Sequence, residues 1–188
     1  EDIFYYFPRR YEDRTRFDEI AGLKIGEYQM VRGRILGFGQ RVSYRRKGFN
    51  IFEIMVEDNS GKLACVWFNQ PYLRNYLKPG KEVVLYGKAD FFSGEFQFQN
   101  PEYEIAGEKA EENLNYGRII PVYPLTENLS QRVFRKIVKF CLDKYISCLS
   151  DALPYDIRRR NNLQNIAEAI INTHFPKDIA SQEASYRR

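Results

Sequence analysis

The chain from Tyr28 to Ile105 reads as a series of short strands separated by turn residues. Tyr28 to Ile35 alternates in part. Phe49 to Glu57 alternates better, with Phe52, Ile54 and Val56 on one face and Glu53 and Glu57 on the other. Lys62 to Phe68 is the third strand, opened by the turn Asp58-Asn59-Ser60-Gly61. Glu82 to Asp90 is the fourth, and a hairpin at Ser93-Gly94 leads to a fifth, Glu95 to Ile105. Between the third and fourth, Pro71 to Leu77 predicts a short helix closed by Lys78-Pro79-Gly80. This is the element order of a five-stranded OB-fold β-barrel. Gly33, Gly37, Gly39 and Gly87 offer positions where such strands can bulge and bend.

After Ile105 the pattern changes. Ala106 to Asn115 is polar and acidic and reads as a loop, and Tyr116 to Pro124 is extended because Pro121 and Pro124 exclude a helix. Ser130 is placed to N-cap an amphipathic helix reaching about Asp151, with Val133, Ile137, Cys141, Tyr145, Cys148 and Leu149 as its apolar face. A second helix runs from Leu163 to Thr173, with Leu163, Ile166, Ala167 and Ile170 inward. The expected class is α+β, a barrel with α-helical flanking segments. Residues 1–18 end a helical or linker segment, 19–107 form the barrel, and 108–188 form an extended connector with helices.

One corner of this barrel, Trp67-Phe68-Asn69-Gln70-Pro71-Tyr72, points to function. Adjacent strand residues face opposite ways, so Trp67 and Phe68 cannot both enter one small core. At least one ring lies outside it. Asn69 is suited to cap the following helix, with Pro71 in its first turn and Tyr72 one turn past Phe68. Rings at such a corner can stack on unpaired bases, a contact worth about 1–3 kcal/mol per base. The competing reading is core or rim packing, the commoner fate of an aromatic at a strand end.

Composition narrows the classes. With 44% hydrophobic residues the 188-residue chain can bury a core, and no apolar run approaches the length of a membrane span. The start, Glu1-Asp2-Ile3-Phe4, has no signal-peptide character; the absent initiator Met and the ending at Arg187-Arg188 are read as those of a piece of a longer protein. Cys65, Cys141 and Cys148 lack C-x-x-C spacing, so neither a disulfide framework nor a zinc site is expected, and a reduced cytoplasmic setting fits. Cys141 and Cys148 are read as core residues of one helix face. Net charge is only +4. Yet from Tyr28 to Phe52 there are six basic residues (Arg32, Arg34, Arg41, Arg45, Arg46, Lys47) and no acid, interleaved with Phe38, Tyr44, Phe49 and Phe52. Such a stretch suits a phosphate-lined surface, or it is a solvated hairpin tip.

No catalytic constellation emerges. The Gly-Lys pairs lack the spacing and hydroxyl of a phosphate loop, and His174 is the single histidine, too few for a triad or a metal site. It is read as a packing or capping residue beside Phe175-Pro176. The expectation is that this chain is not an enzyme by itself and carries no metal and no cofactor.

Several strings together resemble one family, the N-terminal wedge-bearing region of the bacterial ATP-dependent DNA helicase RecG. They are Phe7-Pro8-Arg9-Arg10-Tyr11-Glu12-Asp13-Arg14, Asp58-Asn59-Ser60-Gly61, Trp67 to Leu73, Gly117 to Glu127, Leu129-Ser130-Gln131 and His174-Phe175-Pro176. Asn128 stands where the family usually has Gly. The resemblance implies an OB-fold wedge that sits at a replication fork or Holliday junction and splits nascent from template strands in DNA repair and recombination. ATP and Mg would belong to motor domains of the longer parent. It also implies that Phe68 and Tyr72 are the ring pair capping the terminal template bases, leaving Trp67 as an extra platform or a packing ring. The basic residues of the hairpin would hold phosphates, and the helices after residue 126 would brace the barrel against the motor. The implied partners are branched DNA and those motor domains, with the chain a monomer. Two other readings stand beside this one: a protein-interaction barrel binding the acidic tail of single-stranded-DNA-binding protein, and a general single-strand binder.

Overall fold

The computed structural model describes residues 2–42, 48–92, 94–106, 114–127 and 129–188. Its strands are β1 Arg10–Arg14, β2 Tyr28–Val42, β3 Asn50–Glu57, β4 Lys62–Phe68, β5 Glu82–Phe92, β6 Glu95–Gln99, β7 Glu102–Ile105 and β8 Arg118–Val122. The helices are α1 Gln131–Tyr145, α2 Tyr155–Arg160, α3 Ile166–His174 and α4 Ile179–Tyr186. The chain divides into two compact units, Arg16–Glu112 and a second made from both ends, Glu1–Thr15 with Asn113–Arg188. That division differs from the expected boundaries at 18/19 and 107/108. The segment before residue 16 holds a strand, β1, whose partner is β8, so it belongs with the later part of the chain.

In the unit Arg16–Glu112 the sheet order is β2-β3-β4-β6-β5-β7, and β2 also pairs with β5, so β2, β3, β4, β6 and β5 form a closed ring of pairings, as in an OB-fold. One long strand makes closure possible. β2 pairs with β5 from Tyr28 to Arg34 and with β3 from Arg34 to Val42. Gly33 sits at the crossover, where a Cβ would lie 2.6 Å from the Glu57 carbonyl oxygen and 2.6 Å from Val56 Cγ1. A register shift between Ile35 and Gly37 then adds local bend. Inside the ring pack Val31, Ile35, Phe52, Ile54, Leu63, Leu85 and Phe98. The expected fifth strand is two: Asn100 adopts φ 47° and Pro101 lacks an N–H, so β6 pairs with β4 and β5, and β7 pairs with β5 alone.

The turn after β3 is an aspartate hub. Asp58 Oδ1 accepts from the Ser60 and Gly61 amides at 2.7 and 2.9 Å and from the Ser60 hydroxyl at 2.6 Å, and Oδ2 accepts from the Ile20 amide at 2.9 Å. Burial alone would raise its pKa, but these hydrogen bonds outweigh it and hold the carboxyl below the usual range.

The unit of the chain ends is built on the antiparallel pair β1–β8, with Arg10 opposite Val122 and Arg14 opposite Arg118. Two of the strings that carry the family resemblance are therefore strand partners. Arg14 is buried and its guanidinium reaches Glu12 Oε2 at 2.6 Å. Arg135 of α1 is also buried, donating from Nε to the Pro121 carbonyl at 2.9 Å and from Nη1 to Asn115 Oδ1 at 3.1 Å.

Arg135 accounts for a correction in α1. Ser130 caps it as expected, accepting from the Val133 amide, but the helix ends at Tyr145 and its buried side chains are Arg135, Val138 and Leu142. Val133 and Ile137 are 48% and 42% exposed, and Tyr145 and Cys148 are exposed too. The inward face is rotated because its anchor is a charged residue that a purely apolar count assigns to solvent. The next predicted helix begins later, at Ile166, where Asn165 Oδ1 accepts from the Ala167 amide. α2 and α4 were not anticipated by the sequence pattern.

His174 is fully buried. The Phe4 carbonyl, 2.9 Å from Nε2, can only accept, so Nε2 carries the proton and Nδ1 accepts from the Tyr123 hydroxyl at 2.9 Å. Burial pushes the imidazole pKa below its ordinary 6.5, opposed in part by the Phe4 bond. Below about pH 6.5 the unfolded chain therefore takes up a proton that the folded chain resists, and stability falls as pH drops through that window. The denaturation midpoint should fall between about pH 7.5 and about pH 5.5; His174→Gln should be less stable at the higher pH and lose most of that slope.

Candidate nucleic-acid interface

The ring corner is built by strand parity and three asparagines. In β4, Trp67 lies opposite Phe52 and turns inward, whereas Phe68 lies opposite Ile51 and turns out. Trp67 is 2% exposed, donates from Nε1 to the Pro101 carbonyl at 3.0 Å, and has Phe52 and Tyr103 at 6.0 and 6.1 Å. It is a packing ring, and the alternative of an extra stacking platform is corrected by its burial.

Phe68 is half-buried, stacked on Phe49 at 5.5 Å with planes 29° apart. Its amide donates to Asn100 Oδ1 at 3.1 Å. Asn69 does not cap a helix. It adopts φ 56° and clasps Asn50, its Oδ1 accepting from the Asn50 amide at 3.1 Å and its own amide donating to the Asn50 carbonyl at 2.8 Å. Left-handed backbone suits Asn, and the clasp fixes the strand end where the chain leaves the sheet. The helix that follows is a single 3-10 turn, Pro71–Asn75. Tyr72 is 54% exposed, its hydroxyl donating to Gln70 Oε1 at 3.0 Å. Tyr76, equally exposed at 54%, is a ring that sequence reasoning missed; its place in the turn after Pro71 was the available signal.

The basic residues separate. Arg32 makes a two-pronged ion pair with Glu82 of β5, Nε at 2.8 Å and Nη2 at 2.9 Å. That hydrogen-bonded pairing, helped by the charges of Arg32 and Arg34, holds the Glu82 carboxyl below its usual range against slight burial. The opening beside it is lined by Glu57, Asp58 and Glu82 as well as Arg32 and Arg34, so its charge is mixed. Arg41 reaches Glu53 of β3 at 3.5 Å. Arg34 is exposed, with no side-chain hydrogen bond or ion pair among the described residues. Arg45, Arg46 and Lys47 lie outside the described residues. The stretch that is acid-free in sequence is thus met across the sheet by acids of neighbouring strands.

A family model for the RecG wedge domain matches residues 1–145. The ATP-dependent DNA helicase RecG of Thermotoga maritima is 30% identical over 191 residues, covering 100% of this chain and 24% of that protein. The Escherichia coli K12 protein of the same name is 30% identical over 178 residues, covering 94% and 25%. A solved structure of RecG bound to a three-way DNA junction superposes with a TM-score of 0.81 at 30% identity, over 98% of this chain and 25% of that one. The chain spans about a quarter of the length of the curated relatives it matches.

Two rings of the corner, Trp67 and Tyr72, should separate cleanly in stability measurements. Trp67→Ala should destabilise by about 3–5 kcal/mol, since it removes a buried ring. Tyr72→Ala should stay within about 0.5 kcal/mol, as a surface change. Chemical denaturation of both variants checks this.

Proposed function

This chain belongs to the RecG wedge domain family, and from that premise we propose that it binds branched DNA where a duplex opens. Phe68 and Tyr72 cap the bases exposed when the last pair parts, and the barrel keeps the separated strands apart. Breaking a pair strips the terminal bases of stacking, and a ring held in place restores part of it without reading sequence. The observation that carries this reading is the outward Phe68, fixed by the Asn50–Asn69 clasp beside the exposed Tyr72.

Arg34 and Arg41, with Arg45, Arg46 and Lys47, take phosphates; Arg32, already paired to Glu82, contributes least. The chain supplies binding and strand separation and no bond chemistry of its own. ATP and Mg serve motor domains of a longer parent, read as a DNA helicase of repair and recombination in the bacterial cytoplasm. The chain acts as a monomer against those domains.

Titrating the chain onto a model fork, a duplex and a single strand across a salt series tests this. Phe68→Ala with Tyr72→Ala should weaken fork binding by about 5- to 150-fold for each ring that stacks, while duplex binding changes little. An unchanged fork preference in the double variant sinks the stacking assignment. Equal affinity of the unmodified chain for fork and single strand would make it a general single-strand binder.

A further inference from the structure

A cleft of about 690 Å³ opens in the unit formed by the chain ends, lined by residues that base stacking leaves without a task. One side is Arg9, just before β1, and Arg10, its first residue. The other is the segment from Val122 to Thr126, with Leu129 and Gln131. These sides come from three of the strings that marked the family resemblance, the first two brought together by the β1–β8 pairing, with the Arg9 amide donating to the Val122 carbonyl at 2.8 Å.

The second side is held rigidly. Gln131 brackets Tyr123, accepting from its amide at 2.9 Å and donating to its carbonyl at 2.7 Å. The Tyr6 hydroxyl donates to the Pro124 carbonyl, and the Tyr6 ring stacks on Tyr123 at 6.5 Å. Charge at the rim is unbalanced. Arg9 makes no side-chain hydrogen bond or ion pair among the described residues. Arg10 reaches Glu12 at 2.8 Å, but Glu12 is shared with the buried Arg14 at 2.6 Å. Arg9 and Arg10 therefore both line the cleft with a single carboxylate paired to them among the described residues, Glu12, which Arg10 shares with Arg14; the other lining includes the apolar Pro124, Leu125 and Leu129.

We propose that this cleft is a second DNA-backbone site, in which Arg9 and Arg10 grip a phosphodiester while the apolar wall faces its sugar. The proposal rests on the reading that the chain binds DNA. Guanidinium forks match phosphate oxygens in pairs. A carboxylate-rich peptide could also meet Arg9. The DNA backbone is the occupant the lining favours, because each phosphodiester offers a guanidinium two oxygens and the adjoining sugar offers an apolar face to Pro124, Leu125 and Leu129, a pairing a carboxylate-rich peptide lacks.

The test uses the whole 188-residue chain, a three-way junction and a plain duplex over a range of KCl. Arg9→Gln with Arg10→Gln should make the log–log dependence of junction affinity on salt shallower by about 0.7–0.9 for each phosphate that is no longer neutralised. Arg9→Lys with Arg10→Lys should retain most of the slope, and both variants should keep the parent denaturation midpoint. A glutamine variant with an unchanged slope overturns the proposal. So does a lysine variant as impaired as the glutamine one, since that would mark a structural role. If polyglutamate binding falls in the glutamine variant while the DNA slope stays, the cleft is a peptide site and the proposal fails. If the unmodified chain binds no DNA at all, the proposed function fails first; if it binds with a slope indifferent to Arg9 and Arg10, this inference fails alone.

Discussion

Closure of the strand ring depends on β2 serving two neighbours, and that depends on the close approach at Gly33. A side chain there would meet the Glu57 carbonyl and Val56 at 2.6 Å. Any larger residue must push β3 outward or part β2 from β5. Because β3 carries β4 beside it, the same displacement would travel to the far end of β4, where Asn50 clasps Asn69 and Phe68 leaves the sheet. The outward ring is thus placed by backbone geometry some way along the sheet from itself. Such placement would matter chemically for the proposed stacking, since a ring already fixed would lose little freedom on meeting a base.

Of the strings that carry the family resemblance, Asp58 to Gly61 and Trp67 to Leu73, with the rings proposed to meet bases, lie in the unit Arg16–Glu112, and the others lie in the unit of the chain ends. The strings around Tyr11, Val122, Ser130 and His174 build the unit of the chain ends, and buried polar groups, some from those strings and some beside them, hold it together. Arg14 shares Glu12 with Arg10, Arg135 is held by Pro121 and Asn115, and His174 bridges Tyr123 and Phe4. Such groups are costly when orphaned, so each fixes its partners in one arrangement. The rings of the corner sit in the other unit, where the surrounding core is ordinary apolar packing.

Much of this was legible in the sequence where the physics is local. Period two placed β3 and a short apolar run after a turn placed β4, both nearly to the residue, and parity alone required Trp67 and Phe68 to part, with the inward one decided only by the pairing with Phe52. The errors have nonlocal causes. The apolar face read for α1 leaves out Arg135, whose carbonyl partner Pro121 is on β8, so the face comes out rotated. The basic run of β2 looked unopposed because Glu82 and Glu53 become its neighbours only across the sheet. Asn69 was given a helix to cap, when its backbone was better used facing Asn50. Pro101, by contrast, was a visible warning that the fifth strand would break.

The unit of the chain ends also has a history imposed on it by the order of synthesis. Arg14 and Asn115, which meet in it, are 101 positions apart. Emerging from a ribosome at about 5–20 residues per second, β1 would wait on the order of 5–20 s for β8 to appear. Throughout that interval its edge is open and its arginines have no Pro121 strand beside them. The barrel between is made of shorter-range pairings and can close first, which ties the ends of a long loop together before they must find each other. A chain assembled in this order leaves Arg9 and Arg10 without the opposite wall of their cleft until the barrel is already complete.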